Sequence, residues 1–155
     1  MSIKAAFAIP FAKLVQKKVQ KWAQNPIKTQ ERVFQKLISE AKNTAFGKDH
    51  QFASISNYED FKSKVPVVEY EALRPYIERV IAGENDVLWK GRPLYFAKTS
   101  GTTSGAKYIP ITKESMPTHI KSARNAMLFY IAETGDTSFV DGKMIFLQGS
   151  PILED

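Results

Sequence analysis

The stretch YFAKTSGTTSGAKYIPIT, from Tyr95 to Thr112, decides how this chain is read. An apolar run ends, and seven small residues follow: Thr99, Ser100, Gly101, Thr102, Thr103, Ser104 and Gly105. Five carry hydroxyls and two are glycines. Ala106 and Lys107 come next, then a second apolar run. Glycine permits positive φ and lets backbone approach a ligand closely. Successive N–H groups in such a turn can converge on an anion. Hydroxyls add neutral donors, and Lys107 adds a point charge. These are parts for holding a polyphosphate. The plain alternative is a flexible, hydroxyl-rich hairpin loop with an exposed lysine.

Familiar nucleotide and hydrolase motifs do not fit. A Walker A loop counted from Gly101 needs glycine where Ala106 stands, and a small hydroxyl residue where Tyr108 follows Lys107. It also opens a helix, whereas Tyr108 to Ile111 reads as a strand. No G-x-G-x-x-G is present, and a nucleophile elbow fails because Thr102 replaces its first glycine.

Upstream, DVLWK and PLYFAK read as two short strands around the turn Gly91-Arg92-Pro93. VVEYEALRPYIERVIAGE reads as a helix with Pro75 early and Gly83 near its C-cap. Ser56-Asn57-Tyr58-Glu59 has the capping-box pattern of a helix that Pro66 ends. Phe11, Leu14, Val15, Val19 and Trp22 recur at helical steps, so they form one amphipathic face with core aromatics. Asn25-Pro26 reads as N-cap and first helical position. The next face is Ile27, Val33, Phe34, Leu37, Ile38 and Ala41, with Gly47 as the stop. Downstream, Thr112 caps a helix whose face is Met116, Ile120, Ala123, Met127, Tyr130 and Ile131, and KMIFLQ reads as a buried strand. The expected fold class is mixed α/β, with helices first, then strands flanking the loop, then helix and strand.

Composition bounds the rest. The chain has 155 residues, 43% hydrophobic and 25% charged, which is a globular balance. Cysteine is absent, which excludes disulfides and thiolate metal sites and fits a reducing, cytoplasmic setting. No apolar run approaches the roughly 20 residues of a membrane span. The net charge of +6 is uneven: residues 1–50 carry ten Lys or Arg against three Asp or Glu. The lysines alternate with an apolar stripe, so a solvated helix face is the simpler reading. A membrane-surface or nucleic-acid arm stays open beside it. His119 lies off the apolar face of its helix and reads as a surface residue, as does His50. Surface pairing is expected for Arg74 and Arg92.

The order TSGTT followed by lysine resembles the phosphate-binding loop of the adenylate-forming superfamily, TSGTTGxPKG, with Ser104-Gly105-Ala106 in place of Gly-x-Pro. More narrowly, the chain is similar to the GH3 family of acyl acid–amido synthetases. Lys107-Tyr108-Ile109-Pro110-Ile111-Thr112 fits that family's lysine, apolar pair and Pro-x-[ST]. YEDFKSKVPVVEYEALRPYIERVIAGE fits its F-K-x-x-V-P and Y-x-x-[LI]-x-P-Y-I run. The resemblance covers most of residues 30–150.

The resemblance implies ATP and Mg2+, a carboxylic acid and an amino acid as substrates, and no nucleic acid. An acyl-adenylate forms first and an amide second. Thr99 would belong to the nucleotide site, and Ser100, Gly101, Thr102 and Thr103 would line the phosphates. Ser104 and Gly105 would continue the turn, and Lys107 would supply charge. Residues 1–48 are then a helical lead-in, and 49–155 the start of an adenylation α/β core with its phosphate loop at 99–107. The family's later motifs, acyl pocket and carboxy-terminal domain have no counterpart here, so the expectation is an amino-terminal portion inactive alone. The alternative is a module that binds a phosphate-bearing ligand or a partner without chemistry.

Overall fold

In a computed structural model, the structure describes residues 3–99, 105–143 and 145. Six helices and a two-stranded antiparallel sheet are found among them, together with two short 3-10 turns. The architecture is therefore mixed but mostly helical. Of the expected strand KMIFLQ, Lys143 and Ile145 are described and are in no strand, while its other residues and the loop residues Ser100 to Ser104 lie outside the described residues. The chain divides into two compact units, Met1–Lys21 with Ser122–Asp155, and Trp22–Lys121.

In the first unit, helix α1 (Ile3–Ala23) meets helix α6 (Met116–Thr134). Ala12 and Val15 pack with Leu128 and Ile131, and Ala8, Ile9, Phe129, Ala132 and Val140 surround them. Ala5 and Ala12 are almost wholly buried. The seam of α1 is therefore made largely of small residues, which let helix backbones come close. Phe11, Leu14 and Trp22, expected in the core, are about half exposed at 47%, 52% and 52%. On α6, Leu128 joins Ile131 in the core, while Ile120 and Tyr130 are exposed. Helical period identifies a stripe, but the neighbour decides which edge of the stripe is covered. After α6 the Asp136 carboxylate accepts the Ser138 N–H at 2.8 Å and the Tyr130 hydroxyl at 3.0 Å.

The second unit begins with α2 (Pro26–Ala41), which Asn25 and Pro26 start as expected, although the Asn25 side chain makes no capping bond. Ile38 and Ala41 are buried, while Ile27, Val33 and Leu37 are exposed. α2 stops at Ala41, not at Gly47. The buried Thr44 hydroxyl donates to Ala41 O at 2.7 Å and accepts the Gly47 N–H at 3.0 Å. It thus caps α3 (Ala45–Asp49), which contains Gly47. Gly47 is needed for space: a Cβ there would lie 2.1 Å from the Ala41 carbonyl oxygen. Ala45 and Phe46 donate their N–H groups to the carbonyls of Asp86 and Val87 at 2.8 and 2.9 Å.

That last pairing explains why DVLWK is not a strand. Asp86 has φ 56, in the left-handed region. Its carboxylate accepts the Gly91 N–H at 2.7 Å, and its own N–H donates to Gly91 O at 3.2 Å. The segment closes into a loop whose carbonyls serve α3, and Val87 is buried at its base.

The core of this unit joins Ile38, Ala41, Phe52 and Ile55, ringed by Phe34, Phe46, Phe61, Val65 and Trp89. Phe46 meets Phe52 and Tyr76 edge-on at 5.9 and 5.3 Å, and Phe34 meets Phe61 likewise at 5.8 Å. Such pairs add about 0.5–1.5 kcal/mol each beyond area burial.

Helix α4 (Tyr58–Lys64) is capped one residue later than the sequence pattern suggests. Asn57 Oδ1 accepts the Asp60 N–H at 2.9 Å, and Asp60 Oδ2 accepts the Ser56 N–H at 2.9 Å. Val65, before Pro66, is extended, as proline demands of its predecessor. Helix α5 (Tyr70–Ile81) starts after Glu69, so Val67 and Val68 precede it and Pro75 falls inside rather than in the first turn. It ends in a Schellman motif. Gly83 N–H donates to Val80 O and Glu84 N–H to Arg79 O, both at 3.0 Å, with Gly83 at φ 90.

Gly47→Ala is expected to lower stability by about 3 kcal/mol through the clash with Ala41, read as the midpoint of urea unfolding. For Asp136, hydrogen bonding from Ser138 holds the carboxyl below its ordinary 3.8. The bonded carboxylate therefore contributes stability above that value and loses it as pH falls through the lower folded value. The stability gap between wild type and Asp136→Asn should narrow on acidification; a gap constant from pH 7 to pH 2 would contradict this.

Candidate functional site

The hairpin follows from its sequence. β1 (Tyr95–Thr99) and β2 (Lys107–Ile111) pair antiparallel, so the strand partner of PLYFAK is KYIPI, across the small-residue loop, and not DVLWK. The register sets Tyr95 against Ile111, Ala97 against Ile109 and Thr99 against Lys107. Phe96 and Tyr108 meet edge-on at 6.4 Å. The last pair in the register closes the stem. Thr99 and Lys107, eight positions apart in sequence, are thereby brought opposite each other at the mouth of the loop.

Gly105 lies on the exit side with φ 79, and among the described residues, its chain neighbours aside, none comes within 4 Å of where its Cβ would stand. Glycine there answers a backbone demand. Lys107 is half-buried rather than fully exposed. Its ammonium sits 5.6 Å from the centroid of the Tyr70 ring. The Tyr70 hydroxyl accepts the Tyr108 N–H at 2.9 Å. Thus the first residue of α5 docks against β2 beside Lys107. Sequence reasoning places Tyr70 only in a helix and in a family motif. The available signal is its position at the helix start, where a side chain can reach backbone beyond its own helix.

Other charged residues lie elsewhere. Arg74 pairs with Glu71 at 2.9 Å, and Arg92 Nε donates to Asn85 Oδ1 at 3.2 Å, so both make the surface pairings expected of them. His119 is exposed. His50 is not a plain surface residue: its ring stacks on Phe46 at 4.0 Å, and its Nδ1 lies 3.0 Å from Phe46 O.

Two cavities of about 400 Å³ occur among the described residues, and neither is lined by the loop stem. One, in the second unit, is polar and holds Lys48, Asp49, Arg79 and Glu84. Arg79, Glu84 and Asp49 already have partners there. Arg79 grips Glu84 through Nε at 2.8 Å, which holds the Glu84 carboxyl below its usual range. The Tyr76 hydroxyl donates to Asp49 at 2.7 Å, which pushes the phenol's pKa up. The other cavity, in the first unit, is apolar and lined by Phe11, Met127, Leu128 and Phe139 among others.

A sequence model described as the GH3 family N-terminal domain matches residues 15–150, and the chain belongs to the GH3 family. Among its relatives, the indole-3-acetic acid-amido synthetase GH3.2 of Arabidopsis thaliana is 32% identical over 100 residues, covering 63% of this chain and 18% of that protein. The jasmonoyl–L-amino acid synthetase JAR4 of Nicotiana attenuata is 28% identical over 126 residues, 79% of this chain and 21% of its own. The indole-3-acetic acid-amido synthetase GH3.15 of Arabidopsis thaliana is 43% identical over 75 residues, 46% of this chain and 13% of its own. The chain therefore spans about a fifth or less of the relatives it matches. None of the described helices is long and apolar enough to cross a membrane.

Gly105→Ala is expected to cost about 1 kcal/mol, the penalty for a Cβ in left-handed backbone. The described residues around it add no steric cost. Thermal unfolding of the variant checks this.

Proposed function

We propose that this chain supplies the phosphate-binding part of an ATP-dependent acyl acid–amido synthetase. In this reading residues 1–48 are the helical lead-in, and 49–155 begin the adenylation domain. The observation that carries it is the closed stem: Thr99 and Lys107 face each other across a connection of hydroxyl residues and glycines, in a chain matched by the GH3 model. Thr99, Ser100, Gly101, Thr102, Thr103, Ser104, Gly105 and Lys107 are the proposed nucleotide contacts.

The described part suits a nucleotide phosphate. Gly105 is left-handed, and Lys107 stands at the same end of the hairpin. Magnesium, implied together with ATP, typically binds through the nucleotide phosphates with one or two carboxylates, and no step is assigned to it here.

The chemistry explains the residue types. A carboxylate oxygen attacks the α-phosphorus of ATP, and the bond to pyrophosphate breaks. An amino acid amine then attacks the activated carbonyl, loses a proton, and displaces AMP as the amide forms. In the first step two anions must be held together while charge grows on the leaving group. Preorganised N–H and O–H donors stabilise that charge without rearrangement. Lys107 offsets part of the charge. The acid and the amino acid belong to the classes named in the relatives, indole-3-acetic and jasmonic acids among the former.

Replacing Ser100 and Thr102 together by Ala in the full-length protein should cut ATP–pyrophosphate exchange at least about tenfold. Unchanged exchange would remove these residues from the site. ATP binding that depends on the loop but supports no exchange would favour a binding module without catalysis.

A further inference from the structure

We infer that Tyr70 is a positioning residue that sets Lys107 for the nucleotide; the inference rests on the reading of the hairpin proposed above. Two contacts of different kinds meet in this side chain. Its hydroxyl accepts the Tyr108 N–H at 2.9 Å and lies 3.5 Å from Tyr108 O. Its ring lies 5.6 Å from the Lys107 ammonium. The first contact ties α5 to the backbone of β2 at the residue after Lys107. The second gives that ammonium a resting place on an aromatic face.

A free lysine carries four rotatable bonds and a strongly hydrated head, so holding it in place costs entropy at the moment of binding. Tyr70 meets part of that cost in advance. It restricts the lysine stem and fixes the strand from which the stem springs. A phenol does both with only two side-chain torsions of its own. Its ring carries no formal charge to compete for a phosphate, so the ammonium keeps its full charge for the ligand.

The geometry also separates the two contributions. Tyr70→Phe keeps the ring and loses the bond to Tyr108, whereas Tyr70→Leu loses both. ATP affinity of the full-length protein, measured by calorimetry without acid or amino acid, should fall about threefold in Tyr70→Phe and about tenfold in Tyr70→Leu. In exchange kinetics the loss should appear in KM for ATP and leave KM for the carboxylic acid unchanged. A merely structural role would not discriminate between the two substrates.

Lys107→Met supplies the decisive background. There, either Tyr70 substitution should change ATP affinity by less than about twofold, because the group it positions is gone. If Tyr70→Leu weakens ATP equally with and without Lys107, or leaves affinity unchanged while Lys107→Met weakens it, the positioning role is overturned and the phosphate reading stands. If Lys107→Met itself leaves ATP affinity unchanged, lysine has no part in nucleotide binding and both fall. Should Tyr70→Leu fail to fold, Tyr70→Phe in the two backgrounds separates the same outcomes with a smaller signal.

Discussion

The second unit depends on how the N-terminus of α3 is satisfied. A helix of five residues has hardly any hydrogen bonds of its own, so its leading N–H groups must find partners elsewhere. Thr44 takes one through its hydroxyl, and the carbonyls of Asp86 and Val87 take two more. That exchange fastens the segment leaving α5 to the segment leaving α2. It fits only because Gly47 leaves room against Ala41. The buried Val87 then seals the joint with apolar surface. The chain reaches β1 from this anchored point, so the stem that presents the loop starts from a fixed base.

The same joint shows why parts of the sequence are legible and others are not. Local signals are reliable where the cause is local. Asn25-Pro26 opens α2, Pro66 ends α4 and Gly83 closes α5, because a fixed φ, a missing N–H or a left-handed backbone acts on adjacent residues. DVLWK misleads because its apolar residues are buried for a non-local reason. The segment serves a helix some forty positions earlier, and no periodicity records that. Gly47 misleads in the complementary way: glycine there suggests a helix stop, but its purpose is closeness. Phe11 and Trp22 follow the period of α1 yet stay half exposed, because a period gives a direction and not a neighbour.

For the candidate site, the residue types are legible and their arrangement only in part. The two apolar runs around the small residues give β1 and β2, and hence the meeting of Thr99 with Lys107. Tyr70 is hidden because its partners stand 37 and 38 positions away, on an element of different type. The candidate loop is a contiguous run of small residues. The strand that follows it is held by Tyr70, from a helix that sequence order keeps remote.

The partners of β2 have a further effect, on assembly. Backbone groups along a strand alternate in direction, so Tyr108 and Pro110 direct their nitrogens to the same side. Tyr108 gives its N–H on that side to Tyr70, and Pro110 has none to give. Two successive donors are therefore withdrawn from the outer margin of β2. A foreign strand arriving there would meet carbonyls without the matching amides and could not zip up a regular ladder. The two-stranded ribbon is thereby guarded against self-association along that margin.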